Sequence, residues 1–144
     1  MRHYADSSFL VSCYIVDANT KLAKAWLSST GAPLPFTALH ALEVRNGFKL
    51  GLFRGLFTVG QATAAWSNLE KDLRSGRLVR TLVKWPVTFR IAAGLSERHS
   101  ASLGTRSLDI LHVAAAKAMR SIEFVSFDVR QRALAARVGL RPAP

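Results

Sequence analysis

The order of hydrophobic and polar positions along the chain predicts strands that alternate with helices. Short apolar or β-branched runs predict five strands, at 3–6, 34–37, 77–83, 122–127 and 140–142. Apolar residues three or four apart predict helices between them, at 9–16, 18–29, 38–50, 58–75, 86–103, 107–119 and 130–138. Because helices separate the strands throughout, the chain is expected to be an α/β protein with a mostly parallel sheet and helices on both faces.

The helix predicted after Gly104 places a carboxylate among apolar residues. Ser107 is expected to be its N-cap, and a buried stripe is expected to follow at Leu108, Leu111, His112, Ala115 and Met119. Asp109 lies beside that stripe, with its carboxylate toward the edge of the packed face. The helix dipole alone also explains an Asp in a first turn, so this residue leaves both interpretations open.

Length and composition predict one domain. The 144 residues are 49% hydrophobic, which is sufficient for one packed core and gives a single domain over 1–144. No apolar stretch is long enough for a membrane span or a signal peptide, so a soluble, cytoplasmic protein is expected. The single cysteine, Cys13, cannot form an internal disulfide and is expected to be a small core residue.

The charge indicates a polyanionic partner. Twenty Lys and Arg residues stand against nine Asp and Glu, which gives a net charge of +11. Such an excess favours nucleic acid, although an acidic protein is the alternative. Basic residues are dense between Lys71 and Arg98, where only Asp72 and Glu97 oppose them. The RNA-binding candidates are Arg74, Arg77, Arg80 and Lys84, and the alternative is a solvated face.

Four acids are expected near the carboxyl ends of the predicted strands. Asp6 and Asp128 end two strands, Asp109 begins the helix that leads to the second of these, and Glu43 lies in the helix after strand 34–37. Glu43 alone is better explained as an exposed residue at the margin of an amphipathic face, because Glu is rarely buried. Carboxylates gathered without a cation would repel one another, so the set predicts a hard divalent ion, Mg²⁺ or Mn²⁺. In a basic protein, such a site indicates phosphodiester hydrolysis by metal-activated water.

Several motifs, in order along nearly the whole chain, resemble those of PIN-domain ribonucleases and, within them, toxins of VapC-type toxin–antitoxin pairs. The matching segments are Tyr4-Ala5-Asp6-Ser7-Ser8, Leu42-Glu43-Val44, the run from Gly104 to Ala114 and Phe124-Val125-Ser126-Phe127-Asp128. The resemblance implies a three-layer α/β/α sandwich and a metal and catalytic site of Asp6, Glu43, Asp109 and Asp128. It also implies hydroxyl assistance from Ser7 and Ser126, a homodimer, and an antitoxin as partner.

Other residues have simpler expectations. His112 is expected to be a hydrogen-bonded core residue, and His40 and His99 to lie at the surface or behind the site. Arg106 is expected either to hold a phosphate or to be solvated. The apolar, Gly-punctuated segment Phe48–Phe57 matches no motif and predicts a partner surface or a dimer interface.

Two functions are therefore expected from different classes. The first is a metal-dependent endoribonuclease that acts as a toxin, which accounts for the four acids. The alternative is a basic, non-catalytic nucleic-acid-binding module whose acids only cap helices and end strands.

Overall fold

The structure is a computed structural model that describes all residues from Met1 to Pro144. Its contacts divide the chain into two compact units. The first unit combines Met1–Asp6 with Leu82–Pro144, and the second unit is Ser7–Thr81. A single domain over the whole chain stays a prediction.

The chain contains five short strands and seven helices. The strands are β1 (His3–Ala5), β2 (Leu34–Phe36), β3 (Leu78–Arg80), β4 (Glu123–Val125) and β5 (Arg141–Ala143). The helices are α1 (Ser7–Tyr14), α2 (Thr20–Thr30), α3 (Ala38–Phe53), α4 (Val59–Ser75), α5 (Trp85–Leu103), α6 (Ser107–Ala118) and α7 (Val129–Arg137). All strand pairs are parallel, so the expected α/β fold class is confirmed.

The first unit contains a three-stranded sheet in the order β1-β4-β5. Tyr4 pairs with Phe124, and Phe124 pairs with Pro142 on the other side. Strand β5, the predicted last strand, therefore lies at an edge of this sheet, where Pro142 is tolerated although it has no N–H to donate. Tyr4 and Phe124 are fully buried and their rings stack, which fixes the core beside the central strand.

Helix α6 is buried more completely than its predicted stripe. Every residue from Asp109 to Ala116 is buried, because α6 packs against both α5 and α7. Leu108, expected in the stripe, is instead 48% exposed. The N-cap is Arg106 rather than Ser107, and its side chain makes no capping hydrogen bond. His112 is the expected core residue, since Nδ1 lies 2.9 Å from the Tyr4 hydroxyl.

The second unit holds a separate two-stranded parallel sheet, in which Leu34 pairs with Leu78. Helix α1 packs against α2, α3 and α4 in this unit. Thr37 caps α3 through a reciprocal capping box with His40. His40 is fully buried, which excludes the surface position, one of the two expected for it.

Cys13 is buried in the second unit, as expected, and this burial raises the pKa of its thiol to about 12. None of the seven helices is long and apolar enough to cross a membrane.

Candidate functional site

Asp6 lies immediately beyond the carboxyl end of β1 and is only 1% exposed. Its backbone N–H donates to the Val125 carbonyl at 2.9 Å, which extends the pairing of β1 with β4 by one residue. Ser126 follows β4 and is brought beside Asp6, because parallel strands end at the same edge. Its hydroxyl donates to Asp6 Oδ2 at 2.8 Å. The two strand ends therefore hold this buried carboxylate in a fixed orientation.

Ser126 also connects this carboxylate to Asp128, another predicted site acid of the first unit. Its Oγ accepts a hydrogen bond from the Asp128 backbone N–H at 3.0 Å. Asp128 is half-buried and caps α7, because Oδ1 accepts from the N–H groups of Arg130 and Gln131, each at 2.9 Å. The structure thus gives Asp128 a capping role that would hold with or without a bound ion.

Asp109 projects from the first turn of α6 and is 8% exposed. Both of its oxygens accept hydrogen bonds within the first unit. Oδ2 accepts from Arg106 Nε at 2.9 Å, and Oδ1 accepts from Gln131 Nε2 at 2.8 Å. Because each carboxylate oxygen has two lone pairs, each keeps acceptor capacity toward a further ligand.

Gln131 was missed by sequence reasoning, although its side chain contacts a predicted site residue. It lies three residues after Asp128, is 4% exposed and leaves its Oε1 atom buried without a hydrogen-bond partner. The amide orientation is fixed by chemistry, because an ionised carboxylate only accepts and so must face the NH₂ group. The sequence carries no distinctive signal for this residue, because an uncharged amide in the first turn of α7 belongs to none of the acidic motifs.

Glu43 and Ser7 lie in the second unit. Glu43 is half-buried on α3, and its Oε2 accepts from the Ser7 hydroxyl at 2.8 Å. Ser7 is the first residue of α1 and follows Asp6 directly in the chain. The two serines predicted to assist the acids therefore each donate to one of them.

The donor chemistry of these residues fits a hard divalent cation. Mg²⁺ and Mn²⁺ prefer oxygen ligands such as carboxylates and amide carbonyls. The acids supply carboxylates, and Gln131 Oε1 is a carbonyl oxygen without a hydrogen-bond partner. The side chains as they lie form no group of three or more His, Cys, Asp or Glu that could hold a metal ion. The four-carboxylate site therefore stays a prediction.

The five predicted RNA-binding residues are all exposed. Arg74, Arg77 and Arg80 belong to the second unit, whereas Lys84 and Arg106 belong to the first. Two of them have acidic partners. Arg77 lies 3.7 Å from Asp72, and Arg106 contacts Asp109.

Together, the parallel strands and the seven helices define an α/β fold that is consistent with a PIN-like architecture. The chain is similar in structure to the crystal structure of FitAcB from Neisseria gonorrhoeae, with a TM-score of 0.61. That match covers 99% of this chain and 96% of the other at 17% sequence identity, so it shows the fold alone. No family model and no curated protein matches the sequence.

Proposed function

We propose that this protein is a Mg²⁺- or Mn²⁺-dependent endoribonuclease and the toxin of a toxin–antitoxin pair. The observation that carries the proposal is the placement of Asp6 and Asp128 after two adjacent parallel strands, joined through Ser126. In α/β folds, functional groups collect at this edge. A buried carboxylate held in one orientation by neighbouring hydrogen bonds is typical of a metal ligand with outer-shell support.

In this proposal, Asp6 and Asp109 hold the cation. Asp128 caps α7 and so fixes the start of the helix that carries Gln131. Glu43 is included because of its motif resemblance, with Ser7 donating to its carboxylate. Ser126 fixes the rotamer of Asp6, and Arg106 and Gln131 fix that of Asp109. When bound, the cation supplies a water nucleophile at neutral pH by lowering the pKa of that water.

The basic surface supports RNA as the substrate. A net charge of +11 attracts a polyphosphate backbone, and Arg106 lies beside the carboxylate of Asp109 with most of its side chain exposed. A guanidinium presents five N–H donors in a planar fork, a geometry that suits phosphate oxygens as well as carboxylates.

An antitoxin partner is supported by a groove in the second unit, between α3 and α4. Phe48, Leu52 and Trp66 line it, and Arg45 stacks on Trp66 with its guanidinium 4.1 Å from the ring centre. An apolar groove with a basic border suits an amphipathic segment that carries acidic residues. The structural likeness to FitAcB agrees with this role.

A homodimer is also part of the proposal. Apolar side chains stand exposed on α5 and α6 of the first unit, among them Phe89 and Leu108. Exposed apolar residues that lie together are typical of a surface that another chain covers.

The second candidate function is the non-catalytic nucleic-acid-binding module. It is favoured by two observations, the capping of α7 by Asp128 and the ion pair between Asp109 and Arg106. Both give these acids a structural role without a metal.

The deciding experiment compares the purified protein with Asp6→Asn and with the control Glu97→Gln, which changes an exposed acid on α5. A labelled single-stranded RNA is incubated with Mg²⁺, with Mn²⁺ or with excess chelator. We expect the parent and the control to cut only with metal and Asp6→Asn to cut at least 100-fold more slowly, with native circular dichroism throughout. Equal cutting in chelator or by Asp6→Asn would refute the mechanism, and RNA binding without cutting by any protein would favour the module.

The toxin role is tested by inducing the same three proteins in cells. The parent and Glu97→Gln are expected to stop growth and to create new RNA 5′ ends, whereas Asp6→Asn is expected to do neither. Growth arrest that persists in Asp6→Asn would separate toxicity from RNA cleavage.

A further inference from the structure

The side-chain amide of Gln131 has one satisfied end and one unsatisfied end. Its Nε2 donates to Asp109 Oδ1 at 2.8 Å, whereas its Oε1 is buried and has no partner. The two ends share one carbon, so at standard bond lengths Oε1 lies within about 5 Å of Asp109 Oδ1. An oxygen able to accept a hydrogen bond or a cation therefore stands beside a predicted metal ligand.

A buried polar atom without a partner costs folding free energy, and native proteins keep few of them. An apolar residue of similar shape, such as Met, would avoid that cost at this position on α7. The cost is offset if the oxygen gains a partner when the protein binds its ligand. Each such group in a native structure needs an explanation, and a bound ion at a functional site is one.

The chemistry of the position restricts what that ligand is. A carbonyl oxygen only accepts, so it does not bind a phosphate oxygen or another anion. Asp109 adds negative charge next to it, and Arg106 is engaged at the other carboxylate oxygen, Oδ2. A cation is the partner that both the neutral oxygen and the carboxylate attract. Mg²⁺ and Mn²⁺ are hard ions that keep several waters when bound.

We infer that Gln131 supplies a neutral oxygen to a hydrated divalent cation held at Asp109. Its NH₂ group positions the Asp109 carboxylate, and its Oε1 accepts a hydrogen bond from the water shell of the ion. This inference rests on the cation of the proposed function and adds a residue that the acidic motifs do not contain.

The test measures Mn²⁺ affinity from the electron paramagnetic resonance signal of the free ion, without any RNA. Gln131→Met keeps the length of the side chain and removes both polar ends. Gln131→Glu keeps an acceptor oxygen, loses the NH₂ donor and adds a negative charge. The control is Gln61→Glu, which makes the same charge change in the exposed capping box of α4.

We expect Gln131→Met to weaken Mn²⁺ binding about 10-fold or more, the usual effect of losing an outer-shell partner. Gln131→Glu should bind Mn²⁺ at least as tightly as the parent, and Gln61→Glu should match the parent. Parental affinity in Gln131→Met overturns the inference. Binding by Gln131→Glu that is as weak as that of Gln131→Met also overturns it, because Gln131 would then act only through its NH₂ group.

Circular dichroism of each variant in chelator identifies a loss of folding. If Gln131→Met does not fold, Gln131→Glu decides, and affinity below that of the parent overturns the inference. A parent that binds no Mn²⁺ overturns this inference together with the metal-dependent function. A parent that binds Mn²⁺ through Gln131 but cuts no RNA leaves the inference standing and refutes the proposed function.

Discussion

At the residue scale, the Ser126 hydroxyl takes part in two hydrogen bonds of the candidate site. It is fully buried, donates to Asp6 Oδ2 and accepts from the Asp128 N–H. Ser126→Ala removes both hydrogen bonds while leaving space for the smaller side chain. We expect the free energy of unfolding to fall by about 1–3 kcal/mol, because a part-buried N–H loses its partner and a buried carboxylate loses a donor.

The measurement is urea unfolding of Ser126→Ala beside Ser67→Ala, which changes an exposed serine on α4. The control is expected to stay within about 0.5 kcal/mol of the parent. A loss in Ser126→Ala no larger than in the control would mean that these hydrogen bonds do not hold the strand ends together.

The sequence predicts some of these residue contacts and not others. Asp6 and Asp128 could be placed together from the sequence, because each follows a predicted strand and parallel strands end at one edge. Ser126 was expected near them only from the family resemblance. Gln131 could not, because an uncharged amide on a basic helix carries no distinctive signal until its hydrogen bond to Asp109 is visible. The pairing of Asp109 with Arg106 lies between these cases, since the two are three residues apart at the start of a helix.

At the element scale, the error on α6 has a physical cause. A periodic stripe predicts one buried face, and α6 has neighbours on more than one side, so eight consecutive residues are buried. Small residues from Ala114 to Ala116 permit that close packing without producing a stripe. The strand positions were easier to predict, because Asp6 and Asp128 mark their ends with a change from apolar to acidic residues.

The sheet of the first unit carries a charged cluster at its other end. Glu123 on β4 is 8% exposed. Its Oε2 lies 2.5 Å from Nδ1 of His3 on β1, and its Oε1 contacts the guanidinium of Arg141 on β5. Burial alone would raise the pKa of Glu123. The hydrogen bond from Arg141 and the contacts with His3 outweigh that effect, and the pKa is lowered.

A lowered pKa predicts how the stability of this sheet depends on pH. The unfolded chain binds a proton at Glu123 more readily than the folded chain does, so falling pH favours unfolding. The stabilisation from Glu123 is present above its unfolded pKa, about 4.3, and is lost as pH falls through the lower folded value. Glu123→Gln should be less stable than the parent at pH 6 and should lose less stability between pH 5 and pH 3.

Chemical unfolding at each pH tests this, with Glu97→Gln as the control because Glu97 is exposed. The control should follow the pH dependence of the parent. If Glu123→Gln and the parent lose stability in parallel, the acid sensitivity comes from other carboxyl groups.

At the scale of the whole molecule, charge was easier to predict than arrangement. Counting residues gives the net charge, and the five basic candidates are exposed as a binding surface requires. The division into two compact units was not predicted, because hydrophobic periodicity reports local faces and not which distant segments pack together. The hydrogen bond between Ser7 and Glu43 is an example, because it joins two residues 36 positions apart, a contact that local periodicity does not predict.

If the basic residues of the second unit bind RNA, their phosphate contacts release counterions and make the affinity depend on salt. Each single-strand phosphate neutralised contributes about 0.7 to the slope of log affinity against log salt concentration. Arg74→Gln with Arg80→Gln should therefore lower the slope by about 1.4. Arg77 is left unchanged because it pairs with Asp72.

The control replaces Lys21 and Lys24, two exposed basic residues of α2 in the same unit, by Gln. All proteins carry Asp6→Asn so that a short single-stranded RNA stays intact during the titration. Because both double variants remove two positive charges, a difference in slope between them reports local phosphate contacts rather than net charge. Equal slopes in the two would mean that Arg74 and Arg80 belong to a solvated face, and that RNA is attracted by the charge of the molecule as a whole.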